Sequence, residues 1–198
     1  MKRYTIARVN GRPDWQAVPT LEIDTQLWRP PVDIAAWGQI AWDDERLYVR
    51  LRAREAHIRA EHTGPLGMPC EDSCLEFFFS PVPGDARYFN IEFNPNACMY
   101  LGFGYGRETA TRLLPERDWL GARTERTDDG WAVEYAVPFE FVRVFVPGFQ
   151  PVSGGTMRAN CFKCGDLTAA EHYLSWNPCT SPTPDFHQFR DFGEMTFE

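Results

Sequence analysis

Apolar and polar residues alternate with a period of two along most of the chain, the signature of half-buried β-strands. Leu47, Val49, Leu51 and Ala53 point one way, while Tyr48, Arg50, Arg52 and Arg54 point the other. Asp43-Asp44-Glu45-Arg46 reads as a turn joining this strand to Gln39–Trp42, which makes a hairpin. Ser73–Phe79 places Leu75, Phe77 and Phe79 on one face and Cys74, Glu76 and Phe78 on the other. Tyr88–Asn94 does the same with Phe89, Ile91 and Phe93 against Tyr88, Asn90, Glu92 and Asn94. A turn at Asn94-Pro95-Asn96 leads into a strand over Ala97–Tyr105. Arg123–Arg126 and Trp131–Val137 flank Thr127-Asp128-Asp129-Gly130, whose Asp-Gly pair signals a hairpin. Pro138 ends that strand, a short helix is expected over Phe139–Val146, and strands follow at Thr156–Lys163, Tyr173–Trp176 and Gly193–Glu198.

No strand–helix–strand alternation appears, which argues against a nucleotide-binding α/β fold. Short strands separated by turn signals predict an all-β protein. The specific expectation is an antiparallel β-sandwich, immunoglobulin- or jelly-roll-like, of roughly ten strands with at most one short helix. Neither a linker, an internal repeat nor a low-complexity tract is visible, so residues 1–198 read as one domain.

Five mid-strand positions stand out on the faces opposite the apolar ones: Arg52, Glu76, Asn90, Glu92 and Asn160. Two readings fit them. They are the solvent face of a half-buried sheet, or they form a polar floor whose donors and acceptors take a ligand's hydroxyls. Aromatic residues make up 15% of the chain, enough to supply flat stacking surfaces beside such a floor. Trp42 and Trp131 read as core, whereas Trp176 fits either core or rim.

The formal net charge of −8, with no Lys/Arg cluster, disfavours a nucleic-acid partner. No apolar run approaches the ~20 residues that cross a bilayer. The start Met1-Lys2-Arg3-Tyr4-Thr5 lacks the apolar core of a signal peptide, so a cytoplasmic location is expected unless a leader has been removed. Six cysteines read as reduced, mostly buried thiols. Cys161-x-x-Cys164 invites a zinc reading, but residues three apart on a strand face opposite ways. Asp43-Asp44-Glu45 and Asp128-Asp129 carry carboxylates hard enough for structural calcium, but two acidic turns in solvent are the favoured reading. No resident cofactor is expected.

Several stretches together resemble the family 9 carbohydrate-binding modules, most closely the stand-alone family 9-like branch of DOMON-like sandwiches. They are Trp42–Val49, Glu71–Phe78, Tyr88–Asn94, Gly130–Pro138, Arg158–Phe162, His172–Pro178, Pro184–His187 and Phe192-Gly193. The similarity runs in order over roughly residues 35 to 198, and that order is its specific signal. The resemblance implies a non-catalytic protein that binds a mono- or oligosaccharide. It further implies a site built from a Glu, an Arg, an Asn and two clamping tryptophans. The Glu falls on Glu76. The Arg position falls near Asn90, and the two tryptophan positions carry Pro69 and Phe186, with His187 beside the latter. Expected ligand-binding residues are therefore Arg52, Glu76, Asn90, Glu92, Asn160, Trp176, Phe186 and His187, with no catalytic and no metal-ligating residue.

Two other classes compete. A glycosidase would use Glu76 and Glu92 as paired carboxyls. A haem sandwich would draw on His57, His62, His172 or His187 with Met68 or Met99, but these are scattered in sequence. The oligomeric state is not legible.

Overall fold

The computed structural model describes all 198 residues. Fourteen strands occur in chain order. They are β1 Arg3–Arg8, β2 Thr20–Ile23, β3 Thr25–Gln26, β4 Ala35–Trp42, β5 Arg46–Arg54, β6 Cys74–Ser80, β7 Tyr88–Phe93 and β8 Met99–Gly104. Then follow β9 Thr111–Arg112, β10 Arg123–Thr127, β11 Gly130–Pro138, β12 Thr156–Gly165, β13 His172–Ser175 and β14 Gly193–Phe197. One α-helix, α1 Phe139–Phe145, follows β11 directly, as the sequence predicts. No helix is long and apolar enough to cross a membrane.

The strands form one curled path in the order β10-β11-β5-β4-β1-β14-β12-β6-β7-β8-β9. Strand β2 lies beside β4, β13 beside β12, and β3 beside β13. This corrects the expectation of a wholly antiparallel sheet of roughly ten strands. β1 pairs parallel with both of its neighbours, β4 and β14, and so fuses the two halves of the path. The extra strands are N-terminal or two residues long, where alternation gives little signal. Every other pairing is antiparallel.

The inward faces of the two halves fill one main core of 35 buried residues. Leu47, Val49, Leu51 and Ala53 face it from β5, and Phe77, Phe79, Phe89, Ile91 and Phe93 from β6 and β7. Phe93 meets Tyr135 of the opposite half with ring centroids 5.1 Å apart. The β10–β11 hairpin turns on Asp128-Asp129, and Gly130 opens β11 rather than sitting in the turn. A Cβ on Gly130 would lie 2.0 Å from the Ala53 carbonyl oxygen, so only glycine permits that approach.

The outward face of β6, β7 and β12 departs from the expected solvent face. All seven residues of β6 and all six of β7 are buried. The segment after β13 folds back over this face, and its Phe186 and Phe192 join Cys74, Phe78, Tyr88, Phe162 and Cys164 in a second apolar layer. Phe186 stacks on Phe162 at 4.1 Å and 14°.

Near the C-terminal end of β12, alternation puts Lys163 on the inward face, fully buried. Its Nζ donates to His172 Nε2 at 2.8 Å and to the Cys164 carbonyl at 2.9 Å, and lies 3.3 Å from Glu55 Oε2. Glu55 in turn accepts from Ser73 Oγ at 3.0 Å and from Trp131 Nε1 at 2.7 Å. The lysine bond leaves His172 Nε2 as acceptor, so Nδ1 carries the proton toward the Ala170 carbonyl at 2.7 Å.

Burial and the adjacent Lys163 push the His172 pKa down from 6.5 to about 4. Below pH 6.5 the unfolded chain takes up a proton that the folded chain refuses until near pH 4. This contribution to stability is therefore complete above about pH 6.5 and is lost as the pH falls toward 4, by roughly 3 kcal/mol. Urea unfolding at pH 7.5 and pH 4.5 checks it. His172→Gln is expected to lose less stability over that interval than the wild type, and equal losses would contradict the assignment.

Candidate functional site

A cavity of about 200 Å3 opens at one end of the outward β6–β7–β12 face. Its floor follows from strand register. Glu76 and Glu92 are directly opposed on β6 and β7, with Tyr100 of β8 next in the same row. Asn90 precedes Glu92 by two residues and thus shares its face. Glycine at 102, opposite Asn90, leaves room on β8: a Cβ there would lie 2.9 Å from the Tyr100 ring.

Loops build the walls. Met68 and Cys70 come from the short 3-10 turn region ahead of β6. That turn is tied down by Asp166 N–H donating to the Cys70 carbonyl at 3.0 Å and Leu167 N–H to that of Glu71 at 3.2 Å. Arg107, from the β8–β9 loop, lies 3.5 Å from Asp185. Asp185 also accepts the His187 N–H at 3.0 Å, which shapes the Pro184–His187 turn. His187 Nδ1 pairs with Tyr88 Oη at 2.8 Å.

Trp28 forms an aromatic wall in a left-handed backbone conformation, φ 55°, which a bulky side chain rarely adopts. Its Nε1 donates to the Ser181 carbonyl at 2.7 Å. Its ring meets Tyr173 edge-on and Phe186 at a tilt, each with centroids 5.5 Å apart. Tyr173 is itself fixed by donating to Glu171, which Arg29 grips through two 2.7 Å contacts.

Burial disfavours the charged forms of the acids that line the cavity. Burial, and then the Glu92 charge, hold Glu76 well above the ordinary carboxylate range. Burial raises Glu92 to about 7. Asp166 is raised by burial as well. Burial, then Arg107, lower His187 to about 4, so its ring is neutral at neutral pH. Three buried polar atoms on the floor lack a well-formed hydrogen bond within the protein, Asn90 Nδ2, Asn90 Oδ1 and Glu92 Oε2, although the Asn90 amide lies near enough to Glu92 to favour its charged form. Buried polar atoms are nearly always hydrogen-bonded, so these are open valences facing the cavity.

Of the eight expected residues, Glu76, Asn90, Glu92, Phe186 and His187 line this cavity and three do not. Arg52 lies on β5 in the other half, paired with Asp129 at 3.0 Å and over the Trp37 ring at 5.8 Å. Asn160 is spent on backbone: Oδ1 accepts from Cys161 and Asn177 N–H, and Nδ2 donates to the Asn177 carbonyl. Trp176 belongs to the main core, edge-on to Tyr4 at 6.5 Å. A Cβ on Gly193 would lie 2.4 Å from its ring, so glycine is required there.

Sequence reasoning missed Trp28, Tyr100, Arg107, Asp166 and Tyr173 as lining residues. The acidic turns are occupied by their own contacts. Asp43 caps the Glu45 and Arg46 N–H groups and accepts from Tyr48, while Asp44 pairs with Arg8. Cys161 faces the main core and Cys164 the second layer, as the three-residue spacing implies.

An all-β scaffold carrying a small cavity with a hydrogen-bonding floor and aromatic walls defines a ligand-binding module. The model of carbohydrate-binding family 9 matches residues 7–197, and the chain belongs to that family. A proposed carbohydrate-binding protein from Bacteroides uniformis ATCC 8492 is 26% identical over 100% of this chain and 99% of its own, with a TM-score of 0.85. A family 9 module from Caldicellulosiruptor kristjanssonii, solved with glucose, is 15% identical with a TM-score of 0.72, covering 100% of this chain and 96% of its own. The structure solved with cellotriose gives the same identity and TM-score, covering 100% of this chain and 94% of its own. No curated protein matches the sequence.

Proposed function

We propose that this chain binds one sugar unit, free or at a chain end, in the Glu76–Asn90–Glu92 cavity and does so without catalysis. The observation that carries this reading is the trio of unpartnered buried atoms, Asn90 Nδ2, Asn90 Oδ1 and Glu92 Oε2. Together they offer one donor and two acceptors, the complement of vicinal hydroxyls. Trp28, Tyr100 and Phe186 supply apolar surface for the C–H faces of a pyranose, and Arg107 supplies a further donor. A volume of about 200 Å3 lies below the ~300–1,000 Å3 of drug-sized sites, which suits a single ring. The glucose and cellotriose complexes of the Caldicellulosiruptor kristjanssonii module support the ligand class.

Membership of a carbohydrate-binding family weighs against hydrolysis, although strand register sets Glu76 and Glu92 side by side on one floor.

Calorimetric titration with glucose and cellotriose at pH 7 tests the reading, with aryl glycosides as a turnover control. One binding site is expected, with no turnover. Arg52→Ala, which lies in the other half of the path, is expected to leave the affinity unchanged. A folded sample that binds neither sugar nor any glycan on a broad array would overturn the proposal.

A further inference from the structure

At the cavity floor lies a cluster whose two thiols sugar binding does not use. Cys74 and Cys164 are directly opposed across β6 and β12, and Glu76 follows Cys74 by two residues on the same face. Their ligating atoms all lie within 4.8 Å of one another, and all three residues are buried. Cys164 Sγ is 3.0 Å from Glu76 Oε1. We propose that Cys74, Cys164 and Glu76 form a binding site for a thiophilic divalent cation of the zinc class, open on its fourth side toward the cavity.

The geometry fits such an ion. Zinc takes thiolate sulfur at about 2.3 Å and carboxylate oxygen at about 2.0–2.2 Å in a tetrahedron. Ligand atoms on such a tetrahedron stand roughly 3.5–4 Å apart, so the observed cluster closes on one ion with small side-chain rotations. Two sulfurs exclude the hard cations that oxygen-rich turns favour. The open side is independently marked by Glu92 Oε2, a buried, unpartnered atom across from Glu76 in register. A cavity lined by Glu76, Cys164 and Cys70 gives the ion an entry route.

Charge balance follows from the ligands. On binding, each thiol loses its proton to solvent, and Glu76 binds as its carboxylate. Two thiolates and one carboxylate then hold the dication with a net charge of −1 inside the site. Binding is therefore expected to release protons and to strengthen with rising pH.

The test uses the full chain, reduced and free of sugar, titrated with cobalt(II) and then displaced by zinc. One equivalent of cobalt(II) is expected, with thiolate-to-metal charge-transfer absorption in the near ultraviolet that zinc abolishes. Cys74→Ala and Cys164→Ala should each weaken binding at least about 100-fold, and Glu76→Gln about 10-fold or more. Cys98→Ser, away from the cluster, should retain wild-type binding. Circular dichroism checks that each variant is folded. Absence of the charge-transfer band in the folded wild type would overturn the proposal, and so would a band that persists in a folded Cys74→Ala/Cys164→Ala variant. Because no sugar is present, either result leaves the carbohydrate reading untouched.

Discussion

Replacing Lys163 with methionine is expected to cost roughly 3–5 kcal/mol of folding stability, among the largest effects of any single substitution in this protein. The methionine would keep much of the apolar stem's packing but remove the cation that Glu55 faces at 3.3 Å. Glu55 and Lys163 are both buried, so the carboxylate left behind is shielded from water. An unpaired buried charge is far more costly than a well-packed apolar pair. The double variant Lys163→Met/Glu55→Gln should therefore recover a large part of the loss, because glutamine still accepts from Trp131 without carrying charge. Guanidinium unfolding of the two variants decides the matter. A double variant no more stable than Lys163→Met would show that the charge is not what makes the single substitution costly.

This ion pair also shows where sequence reading stops. Alternation in Thr156–Lys163 places Lys163 on the same face as Met157, Ala159 and Cys161, which is the core face. Nothing local says that Glu55, more than a hundred residues earlier, meets it there. The apolar faces of β5, β6, β7 and β11 were legible because period-two alternation is a local property. The strand that joins the two halves of the path was not. β1 gains its role only by lying parallel between β4 and β14, a pairing of distant segments.

The site divides along the same line. Glu76, Asn90 and Glu92 were legible because adjacent strands in simple register bring mid-strand polar residues into one row. Arg52 and Asn160 obey the same alternation, yet one lies on the other half and the other bonds the backbone of Asn177. Alternation fixes a face but not which sheet neighbours it. The walls come from loops. Trp28 lies before residues 35 to 198, over which the ordered motifs are read, and Arg107 lies in a loop with no periodicity. Structure thus supplies an aromatic wall and a cation from positions other than those at which the resemblance expects its tryptophans and arginine.

The second large effect is expected from Asn90→Leu, which should stabilise the unliganded protein by about 1–3 kcal/mol and reduce sugar affinity at least about 100-fold. The two halves of that expectation have one cause. In the unliganded protein neither amide atom of Asn90 completes a hydrogen bond of good geometry, although the residue is 1% exposed. Leaving a buried polar group unsatisfied costs about 1–3 kcal/mol, and leucine removes that cost at similar volume. Its flanks favour the exchange: the second layer beside it is built from Phe78, Tyr88 and Phe162, and Gly102 opposite leaves space. The affinity loss has the opposite sign because the same two atoms are the floor's donor and acceptor for sugar hydroxyls. Losing two hydrogen bonds, and leaving ligand hydroxyls unpaired in a buried site, amounts to at least ~2.7 kcal/mol, which is the 100-fold. Thermal unfolding and calorimetry on one preparation read both quantities. A variant that binds sugar normally would show that Asn90 is not part of the binding floor. One that is destabilised and non-binding would show that Asn90 is instead held by structure, leaving its open valences without a functional meaning. A trade of stability against affinity is the outcome that only a preorganised binding residue produces.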